Sequence, residues 1–234
     1  MTQERVCSRI HGRSGRCRIP MVRRKTSSKR WLREHERDLF VRKARNEGYR
    51  SRAAYKLIEI DLRDRLLRPG MKVIDLGAAP GGWSQVVRER VGAHGTVIAT
   101  DILDMPLLDG VIFVRGDFTE AAVVQGILDA AGGPVDLVLS DVAPNISGMR
   151  SVDQPRMLSI AVAVLEFAEQ ALKPRGDILL KVFQGPGFDQ LLSHCRTRFS
   201  RVIIRKPQAS RGRSSETYVL ARGLVYSGFK EAVT

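Results

Sequence analysis

Four charged residues stand at the ends of apolar runs or beside them, the positions from which an open α/β sheet presents side chains to a ligand. Lys181 closes "DILL" and is followed by Val-Phe, Asp141 ends "VDLVLSD", and Glu216 opens "ETYVLAR". Lys56 lies upstream in the helical pattern "SRAAYKLIEIDLRDRLL". Taken singly, each reads as a solvated or ion-paired charge. Lys181 fits that reading least, because apolar residues flank it on both sides. Lysines and carboxylates so placed can take a proton from a hydroxyl or stabilise the alkoxide that forms. A free lysine, with a pKa of about 10.4, is protonated at neutral pH, and carboxylates keep it so, whereas a second ammonium and burial favour the neutral amine. Base and electrostatic stabiliser are both open to Lys181, with base the favoured reading.

A second group is the small-residue stretch "DLGAAPGGWSQ", Asp75 to Gln85, between a strand-like run and a helical pattern. A glycine-rich turn in that setting holds a nucleotide-like ligand. Both phosphate-binding versions are weakened by spacing. Trp83-Ser84 follows Gly82 where a Walker loop needs Lys-Ser/Thr, and Gly77-Ala78-Ala79 breaks G-x-G-x-x-G. What remains is Gly77, Gly81 and Gly82 for close approach, Trp83 after them, and the carboxylate of Asp75 at the head, without a cation to balance phosphate. That favours a cationic or neutral nucleoside, and S-adenosylmethionine, with its sulfonium and ammonium, fits. Asp101 ends the next strand-like run, where an acid commonly accepts from ribose hydroxyls, and Asp117 ends the third, placed for an adenine amino group. One strand-end aspartate alone would read as a turn or N-cap residue. Three beside this loop, with Asp141 closing the fourth run, read as a ligand site.

These residues need strands to carry them, and the chain supplies short β-rich runs: "KVIDL", "TVIATD", "VIFVRGD", "VDLVLSD" and "DILLKVF". Helical patterns over 82–92, 119–131 and 155–172 separate most of them, which predicts an α/β fold with a parallel sheet covered on both faces. Upstream, one helical pattern begins at Trp31 and ends at Gly48, and the next starts from Ser51 as N-cap. A helical "FDQLLSHCRTRF" and the runs "RVIIRK" and "ETYVLAR" predict a hairpin-like ending. Residues 31–234 thus read as a single domain, and residues 1–30 as a disordered basic arm. Met21 is an alternative start to Met1.

Lys and Arg number 39 against 25 acids, and residues 1–50 carry 16 basic and 5 acidic residues, +11 of the net +14. A polyanion partner is expected, nucleic acid before membrane. The candidate phosphate contacts are the arm, Arg50, Arg52, Lys206, Arg211 and Arg213. The most apolar helix-length run holds Glu166 and Glu169, so no membrane span is expected. Cys7, Cys17 and Cys195 form no CxxC pair and suit a reducing cytoplasm, while the four histidines show no ligand spacing, so no metal is expected. The "NIS" sequon at Asn145 reads as chance.

The motifs "SRAAYKL", "DLGAAPGGWSQ", "SDVAPNISG", "KVFQGPGFD" and "RKPQASRGRSSETYVLA", in matching order from about Ser28 to Arg222, resemble the bacterial FtsJ/RrmJ-type methyltransferases, which 2′-O-methylate a uridine of large-subunit (23S) ribosomal RNA. The resemblance implies a Rossmann-like methyltransferase fold, with a seven-stranded, mostly parallel sheet, an antiparallel C-terminal strand and helices on both faces. It implies S-adenosylmethionine as donor and no metal. It also implies a catalytic tetrad of Lys181, Asp141, Lys56 and Glu216 with Lys181 in the proton-accepting place, acting as a cytoplasmic monomer on ribosomal RNA in the large ribosomal subunit. The tetrad is shared by 2′-O-methyltransferases of transfer RNA and mRNA caps. An RNA-binding assembly factor with a vestigial fold would be signalled by loss of a tetrad residue, and all four are present.

Overall fold

A computed structural model describes residues 38–144, 147–211 and 214–225, the side chain of Arg150 excepted. The basic arm of residues 1–30, Met21, Cys7, Cys17, the Asn145 of the sequon and Arg213 lie outside the described residues. In chain order the elements are α1 (Leu39–Glu47), α2 (Ala54–Asp64), β1 (Lys72–Leu76), α3 (Gly82–Val91), β2 (Thr96–Asp101), β3 (Val111–Arg115), α4 (Ala121–Ala131), β4 (Val135–Ser140), α5 (Arg150–Ala171), β5 (Leu172–Phe183), α6 (Phe188–Arg198), β6 (Phe199–Arg205) and β7 (Glu216–Leu224).

Successive side chains on a strand point to opposite faces, and here both faces are apolar. Ile74, Leu76, Ile98, Val138, Ile178 and Leu180 pack with Ile127, Leu165 and Leu191 of α4, α5 and α6. Their neighbours Val73, Val97, Leu137, Leu139 and Leu179 pack with Leu57 and Ile60 of α2 and Val86 and Val87 of α3. The strands read as continuous apolar runs because each side has its own helical layer. Among the described residues no helix is long and apolar enough to cross a membrane.

The seven strands form one sheet in the order β3-β2-β1-β4-β5-β7-β6. The order reverses between β1 and β4, so a crevice opens beyond their carboxyl ends. β7 alone runs antiparallel to both its neighbours. That direction brings its first residue to the functional end of the sheet: Glu216 lies opposite Phe183, and Tyr218 opposite Lys181.

All seven expected strands form, with adjustments at element starts. α1 begins at Leu39 with Asp38 as N-cap, and the expected start at Trp31 lies outside the described residues. α5 begins at Arg150 rather than Pro155, because Asp153 accepts from Ser147 N at 2.8 Å and Gly148 N at 2.9 Å and ties the preceding turn to the helix. β5 begins at Leu172, with its pairing to β4 shifting between Val135 and Leu137 and Arg175 at φ 65° where the strand departs from regularity. Ser51 does not cap α2. The chain enters the helix through i→i+3 turns from Ser51, Arg52 and Ala53, and the N-cap is Ala53.

Candidate active site

β1 carries Asp75 into the sheet interior, where it is fully buried between β2 and β4. Its Oδ2 accepts from Ser84 Oγ at 2.7 Å, while Oδ1 has no partner among the described residues. Burial pushes this carboxyl up to about 7; the Ser84 bond opposes the rise, and the charges of Asp141 and Asp101 add to it. The loop that follows turns on glycines. Gly77 has φ +73°, and a Cβ there would stand 2.4 Å from Val142 Cγ2. Gly81 has φ +103°, and its Cβ would stand 2.8 Å from Arg50 Nη1. Gly82 abuts the Ser51 hydroxyl. The close approach these glycines allow therefore includes the protein's own segment at Arg50 and Ser51.

Asp101 receives Ala79 N and Leu103 N, each at 2.9 Å, and so joins the end of β2 to the glycine loop. Asp117 lies two residues beyond β3, where one oxygen accepts from Thr119 N at 2.9 Å and Thr119 Oγ1 at 2.7 Å. That is the turn-forming role open to any strand-end aspartate. Trp83 is in the core, its indole N–H donating to Ala53 O at 2.8 Å and its ring 5.7 Å from that of Tyr218, so its side chain supports the site from within.

The four candidate catalytic residues meet at the ends of β4, β5 and β7. Lys181 Nζ donates to Asp141 Oδ1 at 3.0 Å and to the Asp141 carbonyl at 2.5 Å. Lys56 Nζ lies 2.8 Å from Glu216 Oε1 and 4.0 Å from Asp141 Oδ1. Burial acts to raise the Asp141 carboxyl, but the Lys181 and Lys56 ammoniums and a hydroxyl from Tyr218 outweigh it and hold Asp141 below the usual carboxylate range. A cleft of about 310 Å3 opens on Lys56, Lys181 and Glu216, with Arg52, Phe183 and Arg211 around it.

Two members of this cluster escaped the sequence reading. Tyr218 is fully buried, accepts from Lys56 Nζ at 3.0 Å and donates to Asp141 Oδ1 at 2.7 Å, linking the two. Burial, then the Asp141 and Glu216 charges, raise its hydroxyl well above the ordinary tyrosine value, so it stays neutral. Ser210 Oγ donates to Glu216 Oε1 at 2.8 Å. The signal for Tyr218 was its place two residues after Glu216, on the same face of a strand.

The candidate RNA contacts divide. Arg50 donates to the carbonyls of Pro80 at 3.3 Å, Pro106 at 2.7 Å and Leu107 at 2.6 Å, so its fork clamps the glycine loop to the β2–β3 connection. Arg52 pairs with Asp38 and the Ala209 carbonyl, and burial together with the charge of Arg211 lowers its pKa. Lys206 Nζ donates to Ser214 O at 2.6 Å from an exposed position. Arg211 lines the same cleft as Lys56, Lys181 and Glu216.

Comparison with known proteins bears on this site. The family described as FtsJ-like methyltransferase matches residues 49–224. Ribosomal RNA large subunit methyltransferase E of Alkalilimnicola ehrlichii is 57% identical over 202 residues, 86% of this chain and 97% of that protein. Its namesake in Xanthomonas oryzae pv. oryzae is 58% identical over 204 residues, 87% of this chain and 97% of that protein. Among solved structures, a protein of Plasmodium falciparum assigned as a ribosomal RNA methyltransferase superposes with a TM-score of 0.67 at 28% identity, covering 75% of this chain and 98% of its own.

Proposed function

The chain belongs to the FtsJ-like methyltransferase family, and on that premise we propose that it transfers the methyl group of S-adenosylmethionine to the ribose 2′-hydroxyl of a uridine in large-subunit (23S) ribosomal RNA. The proposed setting is the cytoplasm, the proposed substrate the assembled or nearly assembled large subunit, and the proposed active species a monomer whose catalytic domain spans residues 31–234. The observation that carries the reading is the adjacency, across the β1–β4 switch, of a buried carboxylate with an oxygen unpartnered among the described residues and a cleft lined by Lys56, Lys181 and Glu216, with Asp141 bonded to Lys181.

The residues present fit the donor. Asp75 Oδ1 is buried without a partner among the described residues, and a cationic ammonium is the group that would satisfy it. Asp75, Asp101 and the glycine loop would hold the amino-acid and ribose portions, and Asp117 has a second oxygen available for an amino group. When bound, S-adenosylmethionine supplies a methyl carbon activated by its sulfonium.

The remaining chemistry falls to the chain. The acceptor hydroxyl must reach the methyl carbon in line and lose its proton as the oxygen–carbon bond forms and the carbon–sulfur bond breaks. Lys181 donates two hydrogens to the two Asp141 oxygens, which fixes its nitrogen and leaves one tetrahedral position toward the cleft. In the ammonium that pairs with Asp141 this position is an N–H; once its proton has passed to solvent it is a lone pair, and it accepts the hydroxyl proton. Lys56, held by Glu216 and Tyr218, keeps a second positive charge beside the developing alkoxide. Arg52 and Arg211, whose charges disfavour one another, gain from an RNA phosphate at the cleft mouth.

The test is methyl transfer from labelled S-adenosylmethionine to large subunits prepared from cells lacking the protein. Label is expected in alkali-resistant dinucleotides, the signature of a blocked 2′-hydroxyl. Label on bases, or on transfer RNA in preference to large subunits, would overturn the assignment.

A further inference from the structure

Beside the catalytic cleft lies a second, wider groove of about 840 Å3, between the start of α5 and the segment that follows β5. It is continuous with the cleft through Phe183 and Ser214, which line both. Its volume lies in the range of about 300–1,000 Å3 typical of pockets for organic ligands. The groove is built into the fold. A Cβ at Gly185 would stand 2.3 Å from Gln154 Nε2, and one at Gly187 2.3 Å from Leu158 Cδ2, so the segment packs closely on α5, and Gly187, at φ +86°, is the position where a side chain would be strained. Gln154 Nε2 then donates to Phe183 O at 3.1 Å and pins the end of β5 to the helix.

The two cavities differ in the described residues that line them. The cleft is lined by Lys56, Lys181, Arg52 and Arg211, whereas among the described residues no Lys or Arg lines the groove. The one acid among the described residues of the groove, Asp153, is buried and accepts from Ser147 N, Ser147 Oγ and Gly148 N at 2.8, 2.7 and 2.9 Å. What the groove offers is apolar surface from Met157, Leu158 and Pro186, edged by the amide of Gln184 and the hydroxyls of Ser214 and Ser215. A flat ring with apolar faces and a hydrogen-bonding rim matches that lining, and a phosphate does not.

We propose that this groove receives the nucleobase of a nucleotide adjacent to the one methylated, while the phosphate between them sits at the cationic cleft. The inference rests on the proposed RNA 2′-O-methylation and deepens it. The RNA must be splayed at the target, with the neighbouring base out of its stack and lodged against α5, which aligns the target ribose with Lys181 from a second point.

The test places a photoreactive benzoylphenylalanine at Met157 in the full chain, with the same group at Leu62, 71% exposed on α2, as control. Both proteins are irradiated with large subunits lacking the modification, and methyl transfer is measured in the same preparations. Cross-links from position 157 are expected within one or two nucleotides of the methylated residue and in excess over the control. Cross-links to a ribosomal protein, to distant RNA or at control level, in a preparation that still methylates, overturn the groove assignment alone. Absence of both cross-link and methyl transfer overturns the proposed function with it. Independently, Met157→Asp should raise the KM for RNA several-fold and lower the saturated rate while the donor KM holds; an unchanged RNA KM contradicts the proposal.

Discussion

Lys181 is held by two oxygens of one residue, and that single arrangement defines what it can do. Lys181→Ala removes the group facing the cleft without touching Asp75 or the glycine loop, so turnover should fall by about 10²- to 10⁴-fold while donor affinity, read by calorimetry, is retained. Near-normal single-turnover rates would reject the base. Tyr218→Phe removes a buried hydroxyl that joins Lys56 to Asp141, both charged, and should cost about 1.5–3 kcal/mol of stability in chemical denaturation, with a smaller loss of turnover than Lys181→Ala. Asp75 gives a pH signature. Its folded pKa, about 7, lies above its ordinary 3.8, so the stability it contributes as a neutral acid is fully present below 3.8 and is lost as pH rises through about 7. The anion that forms is the state that pairs with a donor ammonium. Relative to Asp75→Asn, the wild-type protein should gain donor affinity as pH climbs through about 7, measured by titration calorimetry; parallel profiles for the two proteins would contradict the pairing.

At the scale of elements, the site depends on a segment that belongs to no helix or strand. The connection between α1 and α2 carries Arg50, whose guanidinium bonds three carbonyls, and whose backbone N–H donates to Gln85 Oε1 at 2.7 Å on α3. A lysine keeps the charge and loses the fork. Arg50→Lys and Arg50→Ala should therefore both weaken donor binding, whereas a phosphate contact would be rescued by lysine and would alter the salt dependence of RNA binding instead. β7 is tied to β5 in a comparable way by Arg222 on Asp177 at 2.9 Å, and β6 to α2 by the two-point pairing of Arg205 with Asp64 at 2.6 and 2.7 Å. The seven strands and the four charged residues could be read from the sequence because local apolar runs and family motifs mark them. The carbonyl clamp of Arg50, the bridge through Tyr218 and the serine on Glu216 could not, because each joins positions far apart in the chain or depends on which carbonyl a fork meets. A basic residue before a helix reads as a phosphate contact until its acceptors are seen.

For the molecule as a whole, charge is divided by region, with +11 of the net +14 in residues 1–50. If that charge docks RNA, deleting residues 1–30 should weaken RNA binding and flatten its salt dependence by about 0.9 per lost phosphate contact on duplex or about 0.7 on a single strand in log–log slope, with donor affinity unchanged. A deletion of residues 1–20 alone that costs as much would make the first twenty residues part of the grip; little effect would leave it to the residues after Met21. The central claim, that this cluster methylates a ribose of large-subunit RNA, is tested most directly by mapping 2′-O-methylation across ribosomal RNA from cells lacking the protein and complemented with either the wild-type chain or Lys181→Ala. One large-subunit uridine is expected to lose its methyl group in the deletion, to regain it with the wild-type chain and to stay bare with Lys181→Ala. A methylation map unchanged by the deletion, or one restored by Lys181→Ala, would contradict the account.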